Sequence, residues 1–223
     1  MPDADLHLSH LQSLLALEGL QVVDVGAGKG GFVSALAEVG AIATGVEPSA
    51  ANIEKGQSKA RLLQGGAEAL PLPDNSADLI TFMFSLHHVP ATLFDRSFDE
   101  IRRVLKPAGR LHVVEPHVYG SMSDVLKFVD DETEVRLQSH ARLDAFAEEP
   151  GVTMIDQTDY TLRRTFRDFE GFVTRNLESD ASRSAALPVV KDSMRREFEN
   201  RAVGSEQGYE LTQSCRAFHF TVQ

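Results

Sequence analysis

Tryptophan is absent from this chain and cysteine occurs once, at Cys215. A single thiol excludes an intramolecular disulfide and fits a reducing compartment. No stretch approaches the run of about 20 apolar residues that a membrane-spanning helix requires. The first ten residues, MPDADLHLSH, place no basic segment ahead of an apolar core, so no signal peptide is expected. Cationic residues are in deficit as well. Lys and Arg number 22 against 33 Asp and Glu, a formal charge of −11. So acidic a surface argues against nucleic acid and anionic membranes as partners, since both demand a basic field. A soluble, cytoplasmic protein is the expectation, as monomer or homodimer.

What is present suffices for one well-buried core. The 223 residues are 42% apolar and 25% charged, and a single α/β domain is the economical arrangement. The organising stretch is Gln21–Gly31, QVVDVGAGKGG. A β-branched run, broken by Asp24, ends in a glycine cluster, and the apolar spacing of FVSALAEV then predicts a helix. This is the pattern of the first strand–helix turn in a nucleotide-binding sheet, where glycine lets the backbone come close to a ligand.

Three ligand classes use such a turn. A P-loop requires a glycine five residues before its Gly-Lys and a hydroxyl residue after the lysine. Here Val23 and Gly30 occupy those places, so that reading fails. The dinucleotide fingerprint is met formally by Gly26, Gly28 and Gly31, a weak signal when alone. The third reading takes Asp24-x-Gly26-x-Gly28-x-Gly30. Its acid inside the strand suits a ligand that carries a cation near the turn, and would repel pyrophosphate.

Ala41–Val46 predicts a second strand ending at Glu47, nineteen residues after Gly28. That is the place of the ribose-binding acid in such units, and its two oxygens match a vicinal diol. Arg61–Gln64 predicts a third strand, followed by GGAEALP. The segment PLPDNSADLITFMFSLHHV gives a turn, a buried strand over Ala77–Phe84, and a histidine pair, His87 and His88, beyond its carboxyl end. Thr92–Leu105 predicts an amphipathic helix, stopped by Lys106-Pro107-Ala108-Gly109, and Arg110–Glu115 a fifth strand.

On QVVDVGAGKGG, PLPDNSADLITFMFSLHHV and RRVLKPAGRLHVVEP the chain resembles the class I S-adenosylmethionine-dependent methyltransferases, in their small-molecule branch of ubiquinone-biosynthesis-type and natural-product enzymes. The resemblance is strong over residues 21–116 and loose beyond. It implies a Rossmann-like, doubly wound, seven-stranded, mostly parallel sheet with an antiparallel last strand. It also implies one domain over residues 1–223, with helical lid segments at about 117–150 and 168–208. The implied cofactor is S-adenosylmethionine, with Asp24 near its ammonium, Gly26 and Gly28 under the methionine, Glu47 at the ribose and Ala67 at the adenine. Ala27, Pro48, Gly66, Glu68, Ser85 and Leu86 complete the cofactor-binding set. Many relatives carry Asp where this chain has Gly66, which leaves the Ala67 backbone, or Glu68 as a substitute, to meet the base. Lys29 either meets the cofactor carboxylate or is simply exposed.

The resemblance also implies methyl transfer to a small-molecule acceptor. His87 or His88 is the candidate base and Glu115 its orienter, although paired histidines at this place are also found with no settled role. Two alternatives stand beside this. One is a cofactor-binding module without catalysis; the other, less favoured, is an NAD-binding oxidoreductase. No motif of metal-ligand spacing is present, so no metal is expected.

The ends of the chain are less informative. Leucines over Asp5–Leu17 predict a packing or pocket-closing helix. Ser123–Glu149 reads as mainly helical, Gly151–Phe166 as a sixth strand and Leu211–Val222 as the last. Two helices with a break at Ser179–Ser184 are expected between them.

Overall fold

A computed structural model describes residues 2–56, 61–178 and 181–223. In chain order the elements are α1 (Pro2–Leu14), β1 (Gln21–Val25), α2 (Gly31–Glu38), β2 (Ile42–Glu47), α3 (Ala50–Glu54), β3 (Arg61–Gln64) and β4 (Ala77–Met83). Short 3-10 turns follow at Leu86–His88 and Ala91–Leu93. Then come α4 (Phe94–Val104), β5 (Leu105–Pro116), α5 (Ser121–Leu126), α6 (Thr133–Ala147), β6 (Val152–Phe166), α7 (Phe169–Asn176), α8 (Ala181–Arg201), β7 (Val203–Ser205) and β8 (Gly208–Val222). Part of the expected break at Ser179–Ser184 lies outside the described residues.

The sheet order is β3-β2-β1-β4-β5-β8-β6, with the three-residue β7 paired antiparallel to β8. Strands β3, β2, β1, β4 and β5 run parallel to one another. This is the expected mostly parallel, doubly wound sheet, with β7 an eighth strand that three exposed residues gave no pattern to foresee. The Lys106–Gly109 stop signal also falls differently from its reading. It ends α4 but lies inside the span of β5, at an irregularity of the β4–β5 register between Ala77 and Leu79.

By chain connectivity the order reverses between β1 and β4. Helical connections on either side leave a crevice at the carboxyl ends of those strands, which is where open α/β sheets bind ligands. Strand β1 is buried along nearly its whole length because helices cover both faces. On one face Val23, Val25, Ile80, Phe82, Leu111 and Val113 join a core with α4 and the Phe146 end of α6. On the other Leu8 and Leu11 of α1 and Leu36 of α2 pack on Val22 and Leu79. Each large apolar side chain so buried contributes about 1.5–3 kcal/mol.

The chain divides into two compact units. One comprises residues 1–115, 138–158 and 217–223, the other residues 116–137 and 159–216. The second has its own core, where Phe166, Phe169, Phe172 and Phe198 meet Met122, Met194 and Leu211. It also holds a buried arginine: Arg136 donates to the His117 carbonyl at 3.0 Å and the Ser123 hydroxyl at 2.8 Å.

Candidate active site

The glycine turn bends as its residue types require. Gly26 has φ +74 and Gly28 φ +55, in the left-handed region that side chains resist. A Cβ on Gly26 would collide with Ser85, whose hydroxyl donates to the Val25 carbonyl at 2.6 Å. A Cβ on Gly28 would meet nothing within 4 Å, so this glycine opens onto space.

Glu47, at the end of β2, ties this turn to the next helix. One carboxylate oxygen accepts from Gly28 N at 2.9 Å, the other from Ser49 N at 3.1 Å and the Asn52 amide at 3.0 Å. Asn52 gave no signal in the sequence, since it lies on a short helix with no motif of its own.

A cavity of about 660 Å³ lies over these strand ends. Of the residues expected at the cofactor, Gly26, Gly28, Glu47, Pro48, Gly66, Ala67, Glu68 and Ser85 line it, joined by Asn52, Phe84, His88 and Leu93. The Glu68 carboxylate fills the space that a Cβ on Gly66 would need. The loop beyond is pinned by α4: Glu100 accepts from Leu70 N at 2.8 Å, and Arg103 donates to the Leu72 carbonyl at 2.8 Å. Phe84 adopts φ +57, an uncommon strain for a bulky residue, and packs edge-on against His7 of α1 with ring centres 5.2 Å apart.

Other expected residues sit elsewhere. Asp24 is buried and not part of this lining. Its carboxylate accepts from Thr81 Oγ1 at 2.8 Å. Burial pushes its pKa up to about 7, against the Thr81 hydrogen bond and with a smaller push from the charge of Glu47. Ala27 and Leu86 are likewise outside the lining, and Lys29 is exposed. Of the histidine pair, His88 is exposed and lines the cavity, whereas His87 is buried and does not.

His87 has a different partner. Its Nδ1 lies 2.7 Å from Glu115, which is fully buried at the end of β5. That carboxylate also accepts from Leu86 N at 3.1 Å, His87 N at 3.2 Å and the Ser139 hydroxyl at 2.9 Å. Glu115 therefore clamps the turn that carries both histidines. Ser139 comes from α6 and was not legible beforehand, because no spacing links it to β5.

The doubly wound sheet with a glycine turn at β1 and an acid ending β2 matches the fold of solved methyltransferase structures. Residues 23–113 match the family profile of the methyltransferase domain. The chain is 32% identical over 149 residues to the uncharacterized methyltransferase YcgJ of Bacillus subtilis, covering 63% of this chain and 57% of the relative. It is 37% identical over 101 residues to the ubiquinone/menaquinone biosynthesis C-methyltransferase UbiE of Rubrivivax gelatinosus, covering 44% and 39%. The chain thus spans little more than half of the first curated relative and less than half of the second. The solved YcgJ structure shares the fold with a TM-score of 0.59 at 20% identity, over 96% of both chains. The [4+2]-cyclase SpnF does so with a TM-score of 0.59 at 19% identity, over 96% of this chain and 80% of that one. Among the described residues no helix is long and apolar enough to cross a membrane.

Proposed function

We propose that this chain transfers a methyl group from S-adenosylmethionine to a small-molecule acceptor. The carrying observation is the cavity lining. It brings the glycine turn together with two carboxylates, Glu47 and Glu68, and among the described residues it holds no Lys or Arg. Such a wall suits a cationic cofactor with a ribose and a base, and serves a pyrophosphate poorly. The space over Gly28 fits the same group, since any side chain there would fill it.

In this reading Gly26 and Gly28 seat the methionine portion and Glu47 accepts from the ribose hydroxyls, exchanging its present contacts for them. Glu68 accepts from the adenine amino group, standing in the place of the side chain that Gly66 lacks. Asp24 acts from beneath the turn. Bound, the sulfonium supplies an activated methyl. The protein's task is to hold an acceptor in line with it, which is worth about 7–11 kcal/mol. Phe84, Val89 and Leu93 offer the acceptor an apolar wall. Where the acceptor must lose a proton, the histidine pair beside Glu115 supplies the base.

Calorimetry with S-adenosylmethionine, S-adenosylhomocysteine and NAD tests the cofactor, and the first two should bind. Binding of NAD alone reverses the assignment to an oxidoreductase. The fold by itself does not decide activity, as the cyclase on the same architecture illustrates. Tight cofactor binding with no S-adenosylhomocysteine formed from a broad panel of phenols, amines and carbon acids favours a non-catalytic module.

A further inference from the structure

The two adjacent histidines share one turn, yet their rings lie in different surroundings. Residues Leu86–His88 form a 3-10 turn, in which successive side chains point about 120° apart. The cavity lining takes in one of the two and leaves the other out. His88 lines it; the His87 ring is 4% exposed as a residue and directs Nδ1 to Glu115 at 2.7 Å. The two rings touch, with centres 4.1 Å apart. Glu115 accepts from the backbone of Leu86 and His87, from the His87 ring and from the hydroxyl of Ser139. Four donors around one fully buried carboxylate make a rigid clamp, because losing any of them strands a buried polar group.

We infer that His88 alone is the catalytic histidine, and that His87, Glu115 and Ser139 are positioning residues that fix the turn and hold the His88 ring toward the acceptor. This rests on the methyl-transfer reading and divides its roles. For a hydroxyl acceptor, the oxygen–carbon bond forms as the sulfur–carbon bond breaks and sulfur keeps the electron pair. The acceptor's proton passes to His88. A hydrogen-bonded side chain two elements away, Ser139, thus enters the mechanism without touching substrate.

Diethyl pyrocarbonate acylates accessible neutral imidazoles and needs no knowledge of the acceptor. Mass spectrometry of the full chain at pH 7 should show His88 modified at least about tenfold faster than His87, with S-adenosylhomocysteine slowing His88 selectively. Ser139→Ala should raise the reactivity of His87 severalfold, and Ser139→Thr, which keeps the hydroxyl, should restore it. On any phenol that turns over, His88→Gln should lower kcat by about 10²–10⁴ with cofactor affinity intact. Ser139→Ala should lower kcat more mildly and leave KM near its original value. Equal modification of both rings, or protection of His87 instead of His88, overturns the inference. So does a kcat that His88→Gln leaves unchanged. If S-adenosylhomocysteine fails to bind, the methyl-transfer reading falls instead, while the relative reactivity of the two rings still decides which histidine faces the cavity.

Discussion

Two pairs of histidines in the same unit have opposite surroundings. His87 and His88 stand at the end of β4, beside a carboxylate that takes the His87 Nδ1 hydrogen. His112 and His219 lie fully buried on β5 and β8, with Nδ1 atoms 3.3 Å apart and an arginine for company. Arg110 Nη1 is 3.3 Å from His219 Nε2, and a guanidinium can only donate. His219 must therefore carry its hydrogen on Nδ1 and donate it to His112 Nδ1, leaving the His112 hydrogen on Nε2. That nitrogen is buried with no hydrogen-bond partner among the described residues. Burial, then the neighbouring His219, His10 and His7, holds the His112 pKa well below its usual value. Burial and Arg110, opposed by Asp156, push His219 down to about 4. Histidine next to a buried carboxylate is a fixed donor. Histidine next to histidine and arginine is a neutral core residue that resists protonation.

The largest expected effect tests the carboxylate side of this contrast. Glu115→Ala should cost about 3–5 kcal/mol in urea unfolding, since it strands several buried donors at once. A loss under 1 kcal/mol would mean that the clamp is not formed in solution.

Next comes a buried acid with no cation beside it. With a folded pKa of about 7 against an ordinary aspartate value of 3.8, Asp24 leaves stability untouched below that lower value. Stability then falls as pH rises, and the loss is complete above about pH 7. Asp24→Asn should match the parent chain near pH 4 and exceed it by roughly 4 kcal/mol, as an upper figure, at pH 8. A parallel offset at all pH values would refute the assignment.

The core histidines carry the opposite sign. Above the ordinary histidine value of 6.5 neither state is charged, so they contribute no pH dependence. As pH falls the unfolded chain takes protons that the fold refuses, and stability is lost down to about pH 4, by roughly 3 kcal/mol for His219. The double variant His112→Leu/His219→Leu should flatten that slope in urea midpoints taken from pH 7 to 4.5. Smallest is His88→Gln, which should change stability by less than about 0.5 kcal/mol because the ring is exposed. A larger cost would place His88 with the structural histidines.

The sequence disclosed one of these pairs and hid the other. Adjacent residues at a strand end are visible by eye, and the glycine turn and Glu47 follow from spacing along one stretch of chain. His112 and His219 are 107 positions apart and meet only because β8 returns beside β5. Ser139 was hidden for the same reason, being an ordinary helix residue until the carboxylate of Glu115 reaches it. Asn52 lies only five positions from Glu47 and was hidden because its short helix carries no motif. Asp24 was legible as an acid in a strand, but not as one sheltered by Thr81 on the neighbouring strand. The alternation that marks a strand says which face a residue takes, and nothing of what waits there.

The seat of Gly26 beneath Ser85 has a consequence for how this chain can be recombined. A glycine at position 26 is demanded twice over, by its own backbone and by the bulk of a residue on another strand's loop. The two positions must therefore be chosen together. A chimera that joins the first strand of one relative to the fourth of another succeeds at this point only if the incoming pair is jointly small. The safest crossovers therefore fall before β1 or after Ser85, keeping both halves of that contact from one parent.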